Sequence, residues 1–264
     1  MKDTMELLWI GHAGILVRYG DVMVAVDPFL SGTFTWKGKT ELYQGKSPWI
    51  GSTDKLNAFL DRFGSQIAAI CITHEHGDHF DPEAIAAILA RNPSARVIAP
   101  PPVKKWYKKN AGPRTPQPRV EVVRRGKKFD IEGKKTTLRV QILPDTKFRF
   151  VLYPQRVGYV ISPANSPGVA HLGDSHGIGP GWKPFQDKIS DIVSWIKENP
   201  MQFVSYYERS STLKRVWWIH WEPFTPGDFS CGKDPASLIQ TMKTSRVASS
   251  VLSYEAWENI GTKA

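Results

Sequence analysis

The stretch CITHEHGDHF, residues 71–80, holds three histidines, His74, His76 and His79, and two acids, Glu75 and Asp78. Neutral imidazoles and carboxylates are ordinary ligands of divalent metal ions. Histidines at i and i+2 of an extended or turning segment point the same way, so His74 and His76 can share one ion. Asp78 and His79 lie where the chain turns onward and can reach a second. Two ions roughly 3.5–4 Å apart can activate a water between them and clamp a leaving oxygen. A solvated turn has no need of three histidines and an aspartate at this spacing, so metal is the favoured reading. The chain has seven histidines. The other four, His12, His171, His176 and His220, also fall in or beside Gly-rich turns or at strand ends, and none lies in a predicted helix.

These residues need a scaffold of strands that end together. ELLWIG and GILVRYG read as strands that end in glycine, and VMVAVDPFL as a buried strand stopped at Asp27-Pro28. Residues 31–53 show no period and are predicted to be a long loop over the site. DKLNAFLDRFG has helical spacing, with Asp54 as N-cap and Gly64 as stop. IAAIC then runs as a strand into the histidine cluster. DPEAIAAILARNP follows as a helix with Asp81 at the N-cap and Pro82 at its first position. The cluster is therefore a strand-to-helix turn at the carboxyl edge of a sheet, a common place for an active site. Further strands are predicted in ARVIAP, TTLRVQIL, RFVLYPQRVGYVIS, GVAHLGDSHG and RVWWIHW. FQDKISDIVSWIKENP is predicted to be an amphipathic helix, and DPASLIQTMKTS a short helix capped by Asp234. Two halves, each rich in strands first and helices later, point to a layered α/β sandwich.

At 264 residues and 41% hydrophobic, the chain has material for a real core and reads as one domain over 1–264. The two cysteines, Cys71 and Cys231, form no CxxC pair, which excludes a zinc ribbon or disulfide framework and suits a reducing, cytoplasmic setting. No signal peptide or transmembrane segment is evident. The net charge of +10 favours anionic partners. The basic 104–135 segment includes KKWYKK, whose interleaved aromatics and lysines could bind nucleic acid or could be a solvated face. Trp36 and Trp49 are expected to wall a pocket, and Trp217, Trp218 and Trp221 to alternate between core and site.

THEHGDHF resembles the HxHxDH signature of the metallo-β-lactamase superfamily. WIGHAG, VAVDPFLSG, AHLGDSHG and WWIHWEPF resemble, in order, motifs of the branch that includes L-ascorbate-6-phosphate lactonase and N-acyl-phosphatidylethanolamine phospholipase D. The resemblance runs from residue 7 to about 225. It implies a four-layer αββα sandwich and two divalent ions, zinc first, with manganese or iron as alternatives. His74 and His76 would bind the first ion, and Asp78, His79 and His220 the second. Asp174 would bridge them. A metal-bound hydroxide would be the nucleophile, oriented by Asp78. His12 and Asp27 would line or brace the site, with Asp27 accepting from a ligand imidazole.

The pattern departs from the family in one place. A further histidine is expected within QILPDTKF, residues 141–148, and none is there. Lys147 stands at its position. Asp145 is the first substitute as ligand, then no ligand at all, then His176, so the first ion is expected to be weakly held. The implied activity is hydrolysis of a phosphorylated or phosphodiester small molecule or a lactone. A nuclease of the same superfamily and a non-catalytic binding protein with an incomplete metal site are the alternatives.

Overall fold

The computed structural model describes residues 4–110, 118–144, 154–174, 180–195, 212–226, 235–243 and 247–261. Two seven-stranded sheets dominate it. In the first, β1 (Met5–Gly11), β2 (Gly14–Tyr19) and β3 (Val22–Val26) run antiparallel. They continue in parallel through β6 (Ile67–Cys71), β7 (Arg96–Ala99) and β8 (Val120–Val122). The second sheet repeats the plan. Its strands β9 (Lys128–Glu132), β10 (Thr137–Pro144), β11 (Val157–Pro163) and β12 (Gly168–His171) are antiparallel. Then β13 (Ile189–Trp195), β14 (Arg215–Ile219) and β16 (Ala248–Val251) are parallel. The short β17 (Glu258–Asn259) pairs with β1.

The sheets pack face to face because their strands are apolar on both sides. On β1, Leu7 and Trp9 enter the core between the sheets, while Leu8 and Ile10 enter the core under the helices. That helical layer is α1 (Thr53–Phe63), α2 (Pro82–Arg91) and α3 (Pro101–Asn110). On β14, Trp217 and Ile219 face inward, whereas Val216 and Trp218 face the opposite layer, which contains α4 (Pro235–Met242). Full burial of each such side chain contributes about 1.5–3 kcal/mol. The result is the αββα sandwich expected from the sequence.

Several local expectations change. Residues 189–195 are a central strand rather than part of a helix, preceded by a 3₁₀ segment, Pro180–Lys188. All seven residues of β13 are buried, and a strand covered on both faces shows no period of two. Residues 31–53 are not a loop throughout. They contain a hairpin of β4 (Thr33–Trp36) and β5 (Lys39–Tyr43), joined by Lys37 and Gly38 at φ 47° and 80°. Two successive positive φ values are the signature of a type I′ turn, which matches the strand twist. β15 (Phe224–Thr225) adds to β5. The N-cap of α1 is Ser52, whose hydroxyl accepts from Lys55 N–H, and Asp54 sits in the first turn. Asp81 caps α2 as expected. Asp234, Asp145, Lys147 and His176 lie outside the described residues.

Candidate metal centre

Five strands deliver their carboxyl ends to one rim. His12 follows β1, Asp27 follows β3, Thr73 to His79 follow β6, Asp174 follows β12 and His220 follows β14. Four described non-glycine residues have positive φ, and three of them are His12 (48°), Asp27 (45°) and His220 (65°). Such left-handed turns cost of order 1 kcal/mol or more each and persist where the surroundings impose them. Here each turn swings a side chain off a strand end into the rim. The same rim is stitched by His220 N–H to His12 C=O at 3.0 Å, and by Val157 N–H to Thr73 C=O at 3.0 Å.

Asp27 sets the tautomers. It is fully buried, and its Oδ1 accepts Thr73 N–H at 2.7 Å. Its Oδ2 accepts the Thr73 hydroxyl at 2.6 Å and lies 2.8 Å from His79 Nδ1. An ionised carboxylate only accepts, so His79 carries a proton on Nδ1 and turns Nε2 inward. The Thr73 proton goes to Asp27, so Thr73 Oγ1 accepts from His74 Nδ1 at 3.0 Å. His74 Nε2 is then also a lone pair. One buried carboxylate thus orients two imidazoles, as outer partners of metal ligands do.

The inward atoms crowd together. His79 Nε2 lies 3.0 Å from Asp174 Oδ1, 3.5 Å from Asp78 Oδ2 and 3.0 Å from His220 Nε2. Asp78 Oδ2 is 3.1 Å from both His220 Nε2 and His12 Nε2. His74 Nε2 is 3.5 Å from Asp174 Oδ2. Lone pairs facing carboxylates repel unless a cation stands among them. Three groups have ligand atoms all within 4.8 Å of one another: His12, Asp78 and His220; His79, Asp174 and His220; His74, His76 and Asp174. Buried His74 Nε2 and Asp78 Oδ1 have no hydrogen-bond partner among the described residues, which suits atoms that would ligate an ion. The donor set, imidazole and carboxylate, fits a divalent ion of the zinc, manganese or iron kind.

The electrostatics agree. Burial alone would raise the carboxyls of Asp78 and Asp174, yet the histidines around them, His79 first, hold both well below the usual range. Burial opposes charge on His79, but Asp174, Asp78 and Asp27 outweigh it and raise its pKa well above the ordinary value. A proton there takes the place a metal ion would fill. Burial and the adjacent His220 push His12 down to about 3. Burial, His74 and Arg156 push His76 to about 4. Both imidazoles are neutral at pH 7.

All six candidate ligands named from the sequence, His74, His76, Asp78, His79, Asp174 and His220, meet at this rim. His12 stands closer than a bracing residue needs to, at the same distance from Asp78 as His220. His171 is turned away: its Nε2 bonds Ala13 C=O at 2.8 Å. Trp36 lies edge-on to His76 at 5.7 Å, whereas Trp49 packs on Phe59 and Phe63. Several contributors escaped sequence reasoning. Buried Glu222 accepts His12 N–H at 2.7 Å and also bonds the Tyr254 hydroxyl, fixing the His12 turn. Trp195 packs 4.9 Å from the His220 ring. Arg156 Nη2 lies 3.0 Å from His76 Nε2. A cavity of about 830 Å³ flanks the back of the same turn, lined by Phe34, Glu75, Gly77 and Trp106 among others, and includes none of the ligands. In KKWYKK, Tyr107 is in the core and the partly buried Trp106 packs on Phe80.

Residues 6–179 match the family described as "Beta-lactamase superfamily domain". The chain belongs to that family. Among curated proteins it is similar to a "UPF0173 metal-dependent hydrolase" of a Chelativorans species, 31% identical over 75 residues, 28% of this chain and 24% of that protein. It is also similar to N-acyl-phosphatidylethanolamine-hydrolyzing phospholipase D 1 of Caenorhabditis elegans, 28% identical over 102 residues, 38% of this chain and 26% of that protein. The chain thus matches only about a quarter of the length of either relative. Among solved structures, Igni18, a metallo hydrolase from Ignicoccus hospitalis, superposes with a TM-score of 0.70 at 17% identity, covering 98% of this chain and 100% of that one. The metallo-β-lactamase resemblance seen in the histidine spacing is therefore shown for family and fold. No helix among the described residues is long and apolar enough to cross a membrane.

Proposed function

We propose that this protein is a metal-dependent hydrolase acting on a small anionic substrate, a phosphodiester or phosphorylated ester before a lactone. The observation that carries this is the convergence of His12, Asp78, His79, His220 and Asp174 on one buried rim, where the His79 Nε2 lone pair faces Asp174 Oδ1 at 3.0 Å. A divalent ion bound there supplies Lewis-acid polarisation and activates a water near neutral pH. The chain's own residues do the rest. Asp27 holds His79 and, through Thr73, His74 in the tautomer that leaves Nε2 to bind. Asp78 and Asp174 remain ionised and can orient the water. The buried walls, Phe29 beside His12 and Trp195 beside His220, keep bulk solvent from the deep end. The similarity to a phospholipase D supports a phosphodiester bond, and the net charge of +10 supports an anionic substrate. The nuclease alternative has less support, because the aromatics of α3 are used in packing.

The test is metal content with turnover. Purified protein is analysed for zinc, manganese and iron, then assayed on bis(p-nitrophenyl) phosphate, phosphorylated esters and a lactone panel, beside the His79→Ala variant. Bound metal and hydrolysis that the variant lacks support the reading. A metal-free wild type that matches the variant in every assay sinks it.

A further inference from the structure

The outer part of the rim holds its own cation. His76 is the partly exposed member of the His74, His76 and Asp174 group. Its Nε2 accepts a hydrogen bond from Arg156 at 3.0 Å. A guanidinium only donates, so in the neutral ring Nε2 holds the lone pair and Nδ1 the proton, and neither nitrogen is left for an ion while Arg156 is in place. The backbone fixes this encounter: Arg156 directly precedes β11, and the next residue, Val157, donates its N–H to Thr73 C=O at the start of the histidine turn. Among the described residues, an ion on this side would find two imidazoles and one carboxylate, and that carboxylate, Asp174, also belongs to the deep group with His79 and His220. It would also meet a permanent positive charge that cannot be shed by deprotonation.

We propose that Arg156 is the second cation of this site. One metal ion is held in the deep half, and the guanidinium takes the place of another beside His76, where it binds an anionic oxygen of the substrate. This rests on the hydrolase reading above. Repulsion from a neighbouring unit charge in a partly solvated site weakens a divalent ion roughly a hundredfold. Trp36, edge-on to His76, walls the place where the anionic group would sit.

Zinc and manganese are titrated into metal-free wild type, Arg156→Ala and Arg156→Gln in competition with a chromophoric chelator. Thermal unfolding confirms that each variant is folded. The wild type should retain one ion per chain. Both variants should take up a second, about a hundredfold more tightly than the wild type does, and Gln, which keeps a donor without charge, separates repulsion from the lost hydrogen bond. At one ion per chain, the variants should raise KM for bis(p-nitrophenyl) phosphate at least tenfold with little change for an uncharged lactone. Two tight ions in the wild type, or one ion in wild type and both variants alike, would overturn the proposal. No ion in any of the three would instead overturn the hydrolase reading.

Discussion

The deep and outer halves of the rim are built from the same residue types and differ in what surrounds them. His12, Asp78, His79 and His220 are at most 1% exposed; His12 and His220 sit in left-handed turns, His12 is bonded to Glu222, and His79 is held by Asp27. His76 is half-buried, touches Arg156 and Trp36, and follows an exposed residue, Glu75. Burial strengthens charge interactions and excludes water, so a dense carboxylate–imidazole cluster is stable only with a cation inside it. Exposure relaxes that demand. The exposure is confined to His76, since His74 in the same outer group is as buried as the deep residues.

This contrast can be broken in stages. The largest effect is expected for His79→Ala or Asp78→Ala. Either should abolish tight metal binding and lower turnover by more than about a hundredfold, since outer partners alone are worth 10–100-fold. His76→Ala should retain the ion and lose less activity. Metal analysis of the purified variants checks both, and equal metal loss would erase the distinction between halves. Asp27→Asn comes next. It keeps the shape but lets the site donate, freeing the tautomers of His79 and His74, and should weaken metal affinity roughly 10–100-fold. Calorimetric titration measures that.

A pH experiment probes the deep half without mutation. In metal-free protein the pKa of His79 is raised above its ordinary 6.5, so its contribution is fully present below 6.5 and is lost as pH rises through the raised value. His12 and His76 are lowered to about 3 and about 4, so acid below 6.5 charges them in the unfolded chain first and destabilises the fold. Unfolding midpoints of the metal-free protein should therefore peak near pH 6.5. With metal bound in place of the His79 proton, the decline on the alkaline side should vanish. A flat metal-free profile would contradict the cation requirement. The smallest effect is expected for charge reversal of Lys104, Lys105, Lys108 and Lys109. These lie on α3 and touch none of the candidate ligands, and small-ester turnover should stay within about twofold of wild type, as for most surface substitutions.

Much of this was readable from the chain because it is local. The spacing from His74 to His79, the strand end at Asp27 and the Asp81–Pro82 helix start are all signalled within a few residues. What was not readable depends on contacts across the fold. Arg156 reaches His76 only because β11 docks beside the histidine turn. Glu222 meets His12 only when the ends of β1 and β14 come together. β13 was unreadable for a different reason. Its Asp191 lies in a buried strand and gives the segment a helix-like polar spacing. In the fold that carboxylate accepts from Trp217 Nε1 at 3.0 Å and from Gly261 N–H at 2.8 Å. Long-range satisfaction of a buried polar group leaves no trace in local periodicity.

The most direct measurement is anomalous diffraction at the zinc, manganese and iron edges from crystals of the protein as purified. A metal peak among Asp78, His79, Asp174 and His220, with none of comparable height at His76, is the predicted result. A strongest peak between His74 and His76, or no peak in the rim after metal is added back, would contradict it.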